Sequence, residues 1–530
     1  MRVALLTLGI CLLSVFLYAT NYYVSYDLGN DQNDGLSPAT PFKLIQTAAD
    51  LTLPGDTVFV MNGTYTNYFY TVFAIHRSGT AEDWIVYMNY PGHNPLIQVS
   101  DWCGIKIIYG ASYIEVNGFT IQGNASNIDL DDALNQPGGC NDPNGEPLGF
   151  YNGNGIFIQG HNEDSTEYPH HIRIVNNTIY ECCGSGIGSM HADYLTIENN
   201  LLYNNSWYSI WGNSAISLYQ NWNLDSNTND YRMIIRNNVV RGTRNLVPTQ
   251  VLCFITDGNG IIIDDSKHTQ HASPLGAYLG KTLIANNVVY DNGGPGIHVY
   301  LSEHVDVVNN TAYHNQQSEE LWQGEIDAWD SDHIVIRNNI MYAKDDKPIN
   351  TNTNNTDIVH DHNLYWGGNG NSVFGAYTII DDPLFLGPSL GPGADFQITE
   401  LSPAVDAGSD LLAPDDDIIG TTRPIGSGYD IGAYEYDPEL GTSFPQPLAA
   451  FEFSTFPNPV KNKLRIQCTG FRSEKAKIEI YNINGEKVLE ESISQGKEHF
   501  VLDVSRLIAG MYLCKMTAGK QISTKKIIKN

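Results

Sequence analysis

The chain has 530 residues, with 59 Asp and Glu against 29 Lys and Arg and a formal net charge of −30 at pH 7. A balance this acidic excludes nucleic acid as a partner, because phosphates are held by Lys and Arg. It keeps an exported protein soluble, and it would repel a polyanionic glycan unless a cation or a local basic patch intervenes.

Arg2, an apolar run from Val3 to Tyr18, small Ala19 and polar Asn21 read as a secretory signal peptide over residues 1–20. The run is too short to span a bilayer, and no later run is long enough. Cys11 follows Ile10, which is too large for a lipoprotein site. Of the other seven cysteines, Cys182 and Cys183 are adjacent and no CxxC spacing occurs. They read as small buried apolar residues, with one bridge possible, for example Cys103 with Cys140. Phe42, Ile45 and Ala49 lie on one face of a short amphipathic helix.

From residue 176 an Asn-Asn pair recurs at the ends of short alternating strands. The pairs are Asn176-Asn177, Asn199-Asn200, Asn237-Asn238, Asn286-Asn287, Asn309-Asn310 and Asn338-Asn339, with steps of 23, 38, 49, 23 and 29. A unit of about 23 residues with inserts is a solenoid signature, and each unit must stack to bury its apolar face. Asn suits the bend because it tolerates left-handed backbone and forms amide ladders.

A second strand precedes each pair, as in Gly186–Met190, Ala215–Tyr219, Gly260–Asp264, Gly296–Tyr300 and Glu325–Trp329. Its second and fourth residues are mostly apolar and point inward; its third and fifth point out. Coils stacked about 4.8 Å apart would therefore set Tyr219, Asp264, His298, Tyr300, Asp327 and Trp329 on one outer sheet.

These motifs resemble the right-handed parallel β-helix of the pectate-lyase-like superfamily, which implies an all-β solenoid over residues 21–436. The resemblance makes the Phe42–Ala49 helix a plug for the first coil, whose strand edges would otherwise be unpaired. The exit motifs Asp382–Phe385, Ser402–Gly408 and Asp430–Glu435 match it too.

A Pro-, Gly- and Ser-rich linker over 437–451 leads to a tail of opposite charge: 14 basic and 8 acidic residues from Glu452 onward, against 15 basic and 51 acidic before it. Phe456-Pro457-Asn458-Pro459, Ile480-Tyr481-Asn482, Leu502–Ser505, Gly510-Met511-Tyr512 and the basic end make 452–530 a small β-sandwich. This resembles the C-terminal sorting domain of the type IX secretion system. It implies that machinery as a partner and a secreted or surface location.

Inserts in a solenoid map to one face, often the binding face. Here they carry Trp211, Asp257 and the run Asp264-Asp265-Ser266-Lys267-His268. Trp211, Tyr219, Tyr300 and Trp329 offer rings to the C–H faces of sugars. The resemblance implies a polysaccharide lyase with a Lys or Arg base and calcium held by Asp. Lys267 is then the base, and Asp257, Asp264 and Asp265 are the metal oxygens. The alternative is a glycoside hydrolase pairing Asp264 or Asp265 with Asp327, with His268 and His298 as further catalytic candidates. A non-catalytic glycan binder is the third reading. A monomer is expected.

Overall fold

A computed structural model describes residues 19–66, 69–160, 168–270, 275–370, 373–438 and, in the C-terminal part, 452–456, 460–469, 476–482, 487–493, 499–518 and 521–529. The expected leader, His271 and most of the 437–451 linker lie outside them. Two compact units emerge, one over 1–384 and 401–435, the other over 385–400 and 436–530.

The first unit is a right-handed parallel β-helix. One coil shows the pattern: strands Ile187–Met190, Asp193–Glu198 and Leu201–Tyr203 belong to three different sheets, here called sheets 1, 2 and 3. Among the described residues sheet 1 has nine strands and sheets 2 and 3 have eleven each, every strand parallel to its neighbours. Alternation is kept through the stack, so Ile187, Ile216, Ile261, Ile297 and Ile326 align in one fully buried row.

The Asn pairs divide their labour. The first Asn of each pair turns the chain in left-handed backbone, with φ between 53° and 59° from Asn176 to Asn338. The second is buried and donates its amide to the next: Asn177 to Asn200 at 3.1 Å, then Asn238, Asn287, Asn310 and Asn339 at 3.0 Å each. The ladder continues to Asn363, where His362 takes the left-handed position. Each side chain also bonds backbone that the turn would leave unpaired, as Asn238 does with Ile197 O and Arg236 O.

The entry helix is Ile45–Ala49, with Ile45, Ala48 and Ala49 buried beside Phe42. Gln46 from this helix meets the first strand of sheet 1, Thr71–Ile75. It accepts Ala74 N–H at 2.7 Å and donates to Ala74 O at 3.1 Å, replacing a missing neighbour strand. The exit segment returns along the left-handed Asn column. Asn338 Nδ2 donates to Ser409 O, and Asn309 Nδ2 donates to Asp430 O.

One expectation is corrected. Cys140 pairs with Cys253, not with Cys103. Cys103 sits buried in the strand Cys103–Ile107, whereas Cys140 and Cys253 lie on loops that meet outside the solenoid. In the second unit, the tail forms a three-stranded and a four-stranded antiparallel sheet around Leu464, Ile466, Ile478, Ile480 and Ile527.

Candidate active site

Four consecutive strands of sheet 1 build the site: Ile216–Tyr219, Ile261–Asp264, Ile297–Tyr300 and Ile326–Trp329. Their inward isoleucines anchor the register, which aligns two outward rows. One row is Ser217, Ile262, His298 and Asp327; the other is Tyr219, Asp264, Tyr300 and Trp329.

His298 Nδ1 meets Asp327 Oδ1 at 2.6 Å, and Thr351 Oγ1 donates to Asp327 Oδ2 at 3.4 Å. Asp327 is closed to solvent and holds the His298 ring from behind. Burial alone would depress the imidazole, but Asp327, Asp257 and Asp264 outweigh it and raise the His298 pKa.

Asp264 is the unusual group. Its Oδ1 is buried and has no hydrogen-bond partner. Burial, then the charge of Asp257, holds its carboxyl well above the ordinary range against the pull of His298. Tyr219 and Tyr300 stand on either side in the same row, and burial together with the Asp264 charge raises both phenols. Asp257 arrives from the preceding loop, where it accepts Thr256 Oγ1 at 2.6 Å and Asn259 Nδ2 at 3.1 Å. Its carboxyl is raised by burial, with those two bonds and His298 opposing. Asp257, Asp264 and Asp327 thus each feel the charge of His298, which pulls against the burial that raises them.

Aromatic rings border it. Tyr300 stacks on His298 at 5.7 Å, and Trp329 meets Tyr300 edge-on at 6.1 Å. Trp211, 44% exposed, is edge-on to Trp102 at 6.0 Å. The neighbouring Gly212 has φ +63°, and a Cβ there would fall 2.7 Å from Asp257 Oδ2, so the Trp211 loop lies directly against the Asp257 loop.

Three expected residues stand apart. Asp265 takes left-handed backbone at φ 51°, and its carboxylate accepts Gln220 Nε2, Thr269 N, Thr269 Oγ1 and Gln270 N, so it ties the turn together. Lys267 donates to Asp330 O at 2.8 Å and pairs with Asp332, which leaves it committed away from Asp264. His268 points its Nε2 at Asn221 O, 2.8 Å away, under the turn. Asp327 is fully buried and committed to His298, beside it in the same row, and the acid sharing the field of Asp264 is Asp257. Thr256, Thr351 and Trp102 were not singled out by sequence. Thr351 sits where the strand Asn352–Thr353 has lost the apolar alternation that located the other coils.

Asp265 has spent both oxygens on the turn, and among the described residues no group of three or more His, Cys, Asp or Glu is arranged to hold a metal.

The model of the "Pel9A-like, right handed beta helix region" matches residues 22–339, and that of the "Secretion system C-terminal sorting domain" matches 454–530. No curated protein matches the chain. Among solved structures, pectate lyase Pel9A is 15% identical over 80% of this chain and 98% of its own, with a TM-score of 0.46. The GH136 lacto-N-biosidase from Eubacterium ramulus is 17% identical over 66% and 56%, with a TM-score of 0.38. An alginate lyase from Paenibacillus sp. str. FPU-7 is 12% identical over 63% and 95%, with a TM-score of 0.32. The sorting domain marks the protein for type IX export, to the cell surface or the medium. Among the described residues no helix is long and apolar enough to cross a membrane.

Proposed function

Because the chain belongs to the Pel9A-like right-handed β-helix family, we propose that it is an exported polysaccharide-degrading enzyme whose site is the Asp257–Asp264–His298 cluster on sheet 1. The observation that carries this reading is Asp264: an outward carboxyl between two tyrosines, its Oδ1 buried without a hydrogen-bond partner and its pKa held well above the ordinary carboxylate range by burial and by Asp257. A carboxyl whose pKa is raised in this way is the kind of group that protonates a leaving glycosidic oxygen. Asp257, steadied by Thr256 and Asn259, supplies the second carboxylate, to activate water or to attack the anomeric carbon. Asp327 orients the His298 ring through Nδ1, and the neighbouring carboxyls favour its protonated form, which would place a positive charge beside the two acids. Trp211, Tyr300 and Trp329 give a sugar chain faces to lie against. Three acids gathered at the site, with Lys267 committed elsewhere, favour a neutral glycan and hydrolysis.

The family's namesake is a pectate lyase, which supports a second reading, elimination on a uronic-acid glycan. A panel of neutral and uronic-acid glycans, incubated with and without chelator, separates the two. Hydrolysis yields new reducing ends without an ultraviolet-absorbing product; an unsaturated product instead establishes elimination. Binding without either product rejects the enzyme reading.

A further inference from the structure

The outer face of sheet 1 extends well beyond the cluster. On the N-terminal side of Ile261–Asp264 lie four more strands before the edge strand Thr71–Ile75, whereas the other side ends in the two-residue strand Asn352–Thr353. The outward row of His298 and Ile262 runs back through Ser217, Gly188 and Phe157 to Lys106, in the strand Cys103–Ile107. With coils about 4.8 Å apart, Lys106 lies about 19 Å from the strand of Asp264.

Two residues on this run do not serve the core. Phe157 is half-buried and bends toward the cluster. A Cβ on Gly188 would fall 2.8 Å from Phe157 Cδ2 and 2.9 Å from its Cε2, so the ring lies over the bare backbone of the next coil. Lys106 is the one Lys or Arg on the described strands of sheet 1. Its half-buried side chain has no hydrogen-bond or ion-pair partner among the described residues, although the chain carries 59 acidic residues against 29 basic ones. A wall follows the same run. Trp211 meets Trp102, the residue before the Lys106 strand, edge-on at 6.0 Å. The Trp211 insert is braced by the insert over 123–153, where Gln136 Nε2 donates to Tyr208 O at 2.7 Å and Asn152 Oδ1 accepts from Ile210 N at 3.1 Å. The Cys140–Cys253 bridge ties that insert to the Asp257 loop.

An aromatic ring on the floor offers a sugar its apolar face, and an unpaired ammonium in the next coil offers a charge-assisted hydrogen bond. One ammonium on an acidic surface suits a single anionic group, because a chain charged at every unit would meet the acids of the cluster. We propose that Phe157 and Lys106 form a remote subsite for one acidic sugar of an otherwise neutral glycan, its ring on Phe157 and its anionic substituent on Lys106 Nζ. The subsite rests on the polysaccharide reading and adds the length and charge pattern of the substrate: neutral at Asp264, acidic about four coils upstream.

The mature Asp264→Asn protein, which binds without cleaving, is titrated by calorimetry. The probes are long oligosaccharides of glucuronoxylan and of a glucuronic-acid-bearing arabinogalactan, each beside its carboxyl-reduced form, and a sulfated galactan. An acidic oligosaccharide binds about three- to tenfold tighter than its carboxyl-reduced form, and added salt erodes the difference. Lys106→Met brings the acidic form down to the affinity of the reduced one, whereas Lys106→Arg keeps the preference. Phe157→Ala weakens both forms alike, by about tenfold. A Lys106-dependent preference for the sulfated galactan supports the subsite with sulfate as its anion. Equal affinity for acidic and reduced forms, or a preference that survives Lys106→Met, overturns the subsite; if the wild-type enzyme still cleaves a glycan, the cleavage reading stands. If no probe binds and none is cleaved, both fall. The two side chains lie outside the apolar core, and should Phe157→Ala fail to fold, the Lys106 pair decides.

Discussion

Two buried carboxyls carry separate predictions. Asp264→Asn removes the acid but keeps the shape. Cleavage should fall by at least 10²-fold, the scale of lost general acid catalysis, while the melting temperature changes little, because the Asp264 Oδ1 that is replaced has no hydrogen-bond partner to lose. Activity of the wild-type enzyme should decline as pH rises through the raised Asp264 pKa, since only the protonated form can donate. A destabilised, fully active Asp264→Asn protein would remove this residue from the chemistry. Glu325 is different: it closes an inner ladder, accepting the backbone and side-chain N–H groups of Asn315. Burial pushes it from 4.5 to about 8. In the unfolded chain it ionises first, so between those values the folded state holds the extra proton. Stability therefore falls as pH rises across that window, by at most about 1.4 kcal/mol per pH unit. Melting curves of Glu325→Gln from pH 5 to 8 should be flatter than those of the wild type; equal slopes would refute the assignment.

At the scale of the coil, the Asn pair offers a contrast within two adjacent residues. Asn238→Ala strands buried amides on both neighbouring rungs and should cost about 2–4 kcal/mol. Asn237→Gly keeps the left-handed turn, deletes a side chain whose Oδ1 is unpartnered, and should change denaturant stability little. The ladder, the outward rows and the entry helix were legible because they follow from local period and from what Asn permits. Asp264, His298 and Tyr300 could be placed because strand alternation carries direction along them. Legibility stopped at Asp265. A left-handed residue reverses the chain, so Lys267 and His268 no longer inherit the direction of the strand. Their partners lie far away in sequence: Lys267 with Asp330 and Asp332, and His268 with Asn221. The Cys140–Cys253 bridge was hidden for the same reason, spanning 113 residues between two inserts.

Across the solenoid one apolar core, mostly isoleucine, valine and leucine with aromatic and small residues among them, runs from Val24 to Tyr365. Such a core has no intrinsic length, since each rung presents the next with the same surface. Its beginning is covered by the entry helix Ile45–Ala49, and one side chain of that helix closes the edge of sheet 1. Gln46 satisfies both backbone groups of Ala74 on the outermost strand of sheet 1. Gln46→Ala would bare them, and light scattering on concentrated protein should then reveal head-to-tail growth that the parent lacks. A single carboxamide would then stand between a closed solenoid and an open-ended one.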